Sequence, residues 1–300
     1  NPANDLVVSA NNRPFSDENN EKSRFEVSLF ATTNDRVERI TALLDEKDQD
    51  VESARRIQKD VQSPSSLRLR DSINSHLKTL MPALPGEQSR IVDELAAWDG
   101  NFEAGSRGAL IFSLFVYYLA DDYYAAKFGD SIRKYLLSSQ ALNSFLLDDL
   151  SGSLTPELET SLRRALKKSA ARAGDFSTWG DMHKLVLKHP LSRLPLAGDN
   201  YVFAREPASG STLTVMKTAH RMTDEVHETR YGANARHISD LSDPDANYFV
   251  LLGGEDGFLG SENFLDQFSI WDKGATVQVP LNPEKVRSMF PHPLVLKPDK

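Results

Sequence analysis

Apolar and polar positions divide the chain into three segments that differ in periodicity. In residues 1–36, short apolar runs at 6–9 and 25–30 flank a polar stretch at 17–22, which predicts strand, loop and strand. Residues 37–175 have the spacing of amphipathic helices, with breaks at 63–64, 82–86 and 99–100. Residues 176–300 return to short β-rich runs, which predict strands over 184–188, 211–216, 235–241 and 248–252 and a helix over 261–271.

The helical segment shows clear start and stop signals at residues 155–174. Thr155 is a helix-capping residue, Pro156 suits the first turn, and Gly174 is typical of a helix end. The predicted helix has one apolar face, formed by Leu158, Leu162, Ala165 and Leu166. We therefore expect this face to be buried.

The order of these elements predicts an α+β fold. Because strands are predicted at both ends of the chain, we expect residues 1–300 to form one unit. In that unit residues 1–36 form a sheet edge and a loop, residues 37–175 a mainly helical insertion, and residues 176–300 a β-rich C-terminal part.

Composition and charge exclude several classes of function. The 300 residues include no cysteine, so disulfides, thiolate metal sites and a cysteine nucleophile are excluded. A net charge of −8 without long basic runs argues against a nucleic-acid partner. The longest apolar run, Ala109 to Ala120, is shorter than the roughly 20 residues of a membrane span. We expect that run to form a buried helix. We expect no membrane partner.

Two adjacent amides, Asn11 and Asn12, follow the first apolar run and precede Arg13-Pro14. Side-chain amides at the end of a strand can direct N–H donors at one point. The other notable motifs are Asn34-Asp35-Arg36, Arg236 to Asp245 and Gly253 to Ser261. Together these segments resemble the penicillin acylase (penicillin amidase) family of N-terminal nucleophile hydrolases.

The resemblance covers nearly the whole chain but matches only the C-terminal half of that family's nucleophile-bearing β subunit. It implies part of a four-layer αββα sandwich. The family's nucleophile is a residue at the N-terminus of that subunit, freed by self-cleavage, whose own α-amine acts as the base. The chain begins with Asn1-Pro2, so we expect the nucleophile to lie outside it. The implied partners are the remaining N-terminal part of the β subunit, the α subunit and a small N-acyl substrate.

The resemblance assigns catalytic roles to Asn11 and Arg36. Asn11 would donate a hydrogen bond to the oxyanion formed when the nucleophile attacks an amide carbonyl, with Asn12 as the alternative donor. Arg36 would orient that amide, neutralise a carboxylate or lower the pKa of the α-amine. The competing interpretations are a local turn for both asparagines and a helix-start ion pair of Arg36 with Asp35 or Glu38. Arg39 is expected to be structural.

Other family matches are expected to have structural roles, namely residues 57–61, Trp98-Asp99-Gly100, Trp179 to His183 and Asp266-Gln267. The chain departs from the family at 254–257, where Gly-Glu-Asp-Gly replaces Gly-Gln-Ser-Gly, which puts the local loop contacts in doubt.

No cofactor is expected to be required. His183 and His189, together with Asp181, have poor spacing for a metal site, so a core or turn role is preferred. Some members of the family bind structural calcium, and Asp240, Asp243 and Asp245 form an acidic loop. Asp-Pro-Asp is more typical of a turn, so no calcium or other metal ligand is assigned.

Two functions are consistent with the sequence. The preferred one is a portion of an amidohydrolase that cleaves N-acyl amides, of the penicillin, cephalosporin or acyl-homoserine-lactone acylase type. The alternative is a non-catalytic remnant or binding module that retains the scaffold. An autoprocessing junction upstream of Asn1 would favour the enzyme. Family resemblance alone implies a periplasmic or secreted protein.

Overall fold

The computed structural model describes residues 6–12, 34–45, 49–80 and 84–297. The helices are α1 (Asp35–Leu44), α2 (Val51–Gln58), α3 (Pro64–Leu80), α4 (Gly86–Ala97), α5 (Arg107–Phe128), α6 (Asp130–Leu136), α7 (Leu142–Ser151), α8 (Pro156–Arg172), α9 (Trp179–Met182), α10 (Phe268–Asp272) and α11 (Pro283–Met289). The strands are β1 (His183–Lys188), β2 (Val202–Pro207), β3 (Thr218–Ala219), β4 (His227–Glu228), β5 (Tyr231–Gly232), β6 (Ala235–Ser239), β7 (Asn247–Leu251) and β8 (Val277–Gln278). The mixture of helices and short strands confirms the predicted α+β class.

The chain forms two compact units. The first contains residues 1–45 and 60–232, and the second contains residues 46–59 and 233–300. This division differs from the predicted three-part organisation of a single unit. The difference arises because α2 packs on β6 of the second unit, whereas the first strands after residue 176 pack with helices of the first.

The core of the first unit is built on α5. Both sides of this helix are apolar, and Leu110, Leu114 and Leu119 have no exposed surface, as expected for a helix surrounded by others. Helix α8 packs against α5 through its predicted apolar face, which is fully buried. The Thr155 hydroxyl accepts a hydrogen bond from Leu158 N at 3.2 Å, so the predicted cap is confirmed. None of the helices in the described ranges is both long and apolar enough to span a bilayer.

Small sheets complete each unit. In the first, β1 pairs with β2 in antiparallel fashion and with β4 in parallel, and β3 pairs with β5. In the second, β6, β7 and β8 form an antiparallel sheet. The predicted strands at 184–188, 235–241 and 248–252 correspond to β1, β6 and β7.

Three sequence predictions differ from the structure. Residues 211–216 form turns instead of a strand, because the Thr214 hydroxyl bonds to Ser211 N and to the Met216 carbonyl. The helix predicted over 261–271 is limited to α10, and turns around Ser261 precede it. Residues 6–9 are not in a strand. The predictions for 17–22 and 25–30 fall outside the described residues.

Candidate active site

A tight turn at residues 10–12 presents the two candidate amides differently. Asn11 is exposed and has a left-handed backbone with φ of 58°, a conformation that asparagine tolerates better than most residues. Asn12 is half-buried, and its Oδ1 accepts a hydrogen bond from Ala10 N at 3.1 Å. The turn therefore uses the Asn12 oxygen for local backbone bonding, while the Asn11 side chain is exposed.

Arg36 contacts this turn directly. Its Nη2 donates to the Ala10 carbonyl at 2.6 Å and to Asn11 Oδ1 at 2.9 Å. Because a guanidinium has only donors, the amide oxygen of Asn11 must face it, and the amide N–H groups face away. The structure thus brings together the two residues that the sequence singled out, 25 positions apart.

Arg36 is held in place by its neighbour in α1. The Asp35 side chain is only 2% exposed, and its Oδ1 accepts hydrogen bonds from Ser63 Oγ at 2.9 Å and from Ser65 N at 2.8 Å. These bonds join α1 to the N-terminus of α3. Asp35 was predicted only as a possible ion-pair partner of Arg36, and this anchoring role was not predicted.

The ion-pair interpretation of Arg36 does not match the contacts. Glu38, the other proposed partner, pairs with Arg68 instead, at 2.7 Å between Nη1 and Oε1. Burial lowers the pKa of the Arg36 guanidinium, and the nearby Tyr231 acts in the opposite direction. Since an arginine guanidinium is not deprotonated in proteins, Arg36 remains a cation at neutral pH. A cation on the amide oxygen polarises the amide and strengthens its N–H groups as donors.

Arg39 has the expected structural role. Its Nε and Nη2 donate to both carboxylate oxygens of Asp60 at distances of 2.7 to 3.1 Å. Asp60 also accepts a hydrogen bond from Gln62 N, and its own carbonyl accepts one from Met216 N. This pair joins α1 to the segment before α3.

The other family matches have local structural contacts. Trp98 Nε1 donates to the Asn101 carbonyl at 2.8 Å, and Trp179 Nε1 donates to the Gly210 carbonyl at 3.0 Å. Gln267 Oε1 accepts from Leu251 N at 2.8 Å. In the departing loop, a Cβ on Gly254 would lie 2.0 Å from the Asn263 carbonyl oxygen, so this turn requires glycine.

Among the described residues, neither of the two metal sites considered from the sequence is among the groups that could hold an ion. Asp181 accepts hydrogen bonds from Ser177 N and Thr178 N, and His189 Nδ1 accepts one from Leu191 N. In the acidic loop, Asp240 bonds to Ser242 N, Asp243 to Asp245 N, and Asp245 to Asn282 N. These carboxylates accept hydrogen bonds that hold turns. His183, by contrast, lies in a cluster with two histidines that the sequence did not connect to it.

Comparison with known proteins identifies the family. The model of the penicillin amidase family matches residues 1–288. Penicillin acylase 2 proenzyme from Pseudomonas sp. (strain SE83) is 26% identical over 294 residues, which cover 92% of this chain and 36% of that protein. A thermostable penicillin G acylase from Alcaligenes faecalis shares the fold, with a TM-score of 0.59 and 15% identity over 100% of this chain and 58% of that one.

The structural match supports the predicted placement in the fold of N-terminal nucleophile hydrolases. This chain spans about a third of the length of the Pseudomonas relative and just over half of the Alcaligenes chain. The family model matches almost all residues of this chain, and the chain therefore belongs to the penicillin amidase family.

Proposed function

We propose that this chain is the part of an amidohydrolase that supplies an oxyanion donor, Asn11, for the cleavage of N-acyl amide bonds. The observation that carries the proposal is the 2.9 Å contact between Arg36 Nη2 and Asn11 Oδ1. It places the amide oxygen of Asn11 on the guanidinium and so sets the orientation of the amide. A neutral donor held in advance by a fixed cation is the kind of group that stabilises a developing oxyanion.

The proposed reaction begins with a nucleophile outside this chain. Its hydroxyl oxygen attacks the carbonyl carbon of the substrate amide, while the hydroxyl proton passes to the α-amine that serves as base. The carbonyl oxygen becomes an anion, to which Asn11 Nδ2 donates. Collapse of this intermediate expels the amine, which takes up the proton. Water then attacks the acyl ester and releases the acid.

Support for further polypeptide comes from the lengths of the relatives. The Pseudomonas relative is a proenzyme, and the chain corresponds to 36% of it. We therefore assign the nucleophile and most of the acyl pocket to the remaining N-terminal part of the β subunit and to the α subunit. Both relatives are named as penicillin acylases, so a linear amide between an acyl group and an amine is the proposed substrate class. From the family resemblance alone, we also propose a periplasmic or secreted location.

The test uses the complete processed protein and the substitution Asn11→Gly. Glycine accepts the left-handed backbone of residue 11, so the change removes the amide with little strain. The rate of acyl-enzyme formation is measured by rapid mixing with a chromogenic N-acyl amide. We expect this rate to fall by about 10²- to 10³-fold.

Leu196→Gly is the matched control, because Leu196 is the other described non-glycine residue with a left-handed backbone, and its side chain is fully exposed. The control is expected to retain the parental rate. Unchanged turnover in Asn11→Gly would remove Asn11 from the mechanism, whereas no turnover by the parental processed protein would favour a binding module.

A further inference from the structure

Three histidines, two in strands and one directly after a strand, meet in the first unit. His183 begins β1 and lies opposite His227 in the parallel pairing of β1 with β4, and His220 directly follows β3. The ring centroids are 4.7 Å apart for His220 and His227, 4.8 Å for His183 and His220, and 5.0 Å for His183 and His227. We call these three residues the histidine cluster.

Each ring of the histidine cluster has one nitrogen next to a protein oxygen. His227 Nδ1 lies 3.0 Å from the Glu225 carbonyl, and His220 Nδ1 lies 3.4 Å from the Thr218 carbonyl. A carbonyl only accepts, so these two nitrogens carry the protons, and the Nε2 atoms carry lone pairs. His183 Nε2 lies 3.4 Å from the Thr229 hydroxyl, which leaves Nδ1 as its second nitrogen.

Two of these second nitrogens are buried without a partner. His183 has no exposed surface, and its Nδ1 makes no hydrogen bond within the described part of the chain. The same holds for His227 Nε2. A buried polar atom without a partner costs about 1–3 kcal/mol, so two of them in one cluster indicate a ligand.

We propose that His183, His220 and His227 bind a divalent transition metal ion of the zinc type. One nitrogen of each residue lies within 4.8 Å of those of the others. With a Zn–N bond of about 2.1 Å, three imidazole nitrogens on one tetrahedral ion are about 3.4 Å apart. Binding therefore requires a closure of up to about 1.4 Å, which rotation of the rings can supply.

The chemistry of the donors favours this class of ion. Three neutral nitrogens suit zinc and its neighbours, whereas calcium and magnesium require oxygen ligands. Metal binding also needs deprotonated imidazoles. Burial lowers the pKa of all three histidines, to about 3 for His220, and the neighbouring histidines lower the pKa values of His183 and His220 further. The cluster is therefore neutral, and ready to bind, at pH 7.

The surroundings supply an orienting contact and room for a fourth ligand. The Trp179 ring stacks on His183 with centroids 4.8 Å apart and an interplanar angle of 28°. A cavity of about 40 Å³ is lined by His220 together with polar residues that include Ser211 and Thr212. One water needs about 10–15 Å³, so this cavity beside His220 has room for a water. Three histidines and a water are a known tetrahedral set for zinc.

Metal binding by the complete processed protein tests the proposal directly. After the protein is stripped with a chelator, we expect it to take up one equivalent of Zn²⁺ in competition with a chromophoric chelator. Co²⁺ should then give the visible absorption of a tetrahedral complex. X-ray absorption at the zinc edge should show three imidazole ligands on the ion. This measurement uses the unmutated protein, so it does not depend on whether a variant folds. A count of one imidazole or none, or failure to bind Zn²⁺ at micromolar concentration, would overturn the site.

Variants assign the ligands. Loss of a partner that only orients a ligand costs about 10- to 10²-fold in metal affinity, so His220→Gln and His227→Gln, which remove ligands, should cost at least that much. His237→Gln is the control, because His237 is exposed and lies outside the histidine cluster. The Zn²⁺ affinity of this variant should equal that of the parental protein. Near-ultraviolet circular dichroism verifies that each variant is folded. Parental affinity in folded His220→Gln and His227→Gln would show that the cluster is only an aromatic stack.

Discussion

The Asp35 carboxylate accepts a hydrogen bond from the backbone N–H of Ser65 over 2.8 Å. Asp35 is the first residue of α1, and Ser65 lies in the first turn of α3, where the helix dipole favours an anion. Because Arg36 follows Asp35 directly, this buried contact sets where the guanidinium meets Asn11. The proposed oxyanion donor is thus positioned by a chain of polar contacts that begins at α3.

Replacing Asp35 should reduce both stability and activity. Asp35→Ala removes a buried acceptor of two hydrogen bonds and leaves Ser65 N unpaired, so we expect the free energy of unfolding to fall by about 2–3 kcal/mol. Urea denaturation of the complete processed protein measures this change. Glu38→Ala is the control on the same helix, because the Glu38–Arg68 pair is about half exposed and should contribute less than about 1 kcal/mol. Equal losses in the two variants would contradict the anchoring role of Asp35.

Arg36→Lys should lower kcat and leave KM nearly unchanged. Lysine keeps the positive charge but lacks the planar group that contacts the Ala10 carbonyl and Asn11 Oδ1 together. A small displacement of a positioned donor costs up to about 10²-fold in rate. Because the oxyanion exists only after attack, the loss appears in kcat. Steady-state kinetics would check the result against Arg68→Lys, an exposed arginine expected to show parental values. A rise in KM alone would instead indicate that Arg36 binds the substrate.

Local patterns in the sequence predicted local features of the structure. The cap at Thr155 and the buried face of α8 depend on residues within one helix, and both were predicted correctly. The wrong predictions at 211–216 and 261–271 involve Ser and Thr side chains that bond to nearby backbone in place of regular structure. Propensity and periodicity do not include that competition.

Contacts between distant residues were predicted only where a family resemblance supplied them. The approach of Arg36 to Asn11 was expected for that reason. The histidine cluster was missed because its three members come from β1, from β4 and from the residue after β3, which only the fold brings together. From the sequence, His183 was instead considered together with His189, six residues further along the chain. The His189 ring accepts a hydrogen bond from Leu191 N and holds a turn.

Two substitutions of glycine by alanine should have opposite effects on stability. Alanine is the better helix former by about 1 kcal/mol, so Gly86→Ala at the start of α4 should be neutral or stabilising, since a Cβ there meets nothing within 4 Å. In α5 a Cβ on Gly108 would lie 2.6 Å from Trp98 Cβ. Trp98 is buried, so we expect Gly108→Ala to lose about 1–3 kcal/mol despite its helical preference. Thermal unfolding of both variants tests the signs, and stabilisation by Gly108→Ala would show that Trp98 can move aside.

The ion pair of Arg39 with Asp60 should contribute more to stability than an exposed pair on a helix surface. Its side chains are 24% and 12% exposed, and three hydrogen bonds join the two groups. A double-mutant cycle with Arg39→Ala and Asp60→Ala should give a coupling energy of about 1–2 kcal/mol, as expected for charge-assisted bonds with limited access to water. The matching cycle on Arg163 and Glu159, which are 48% and 39% exposed, should give only about 0.3–0.5 kcal/mol. Because water and salt screen the exposed pair more, raising the salt concentration should reduce its coupling by the larger fraction. If the two couplings were equal, the Arg39–Asp60 contact would have no special part in holding α1, and with it Arg36, in place.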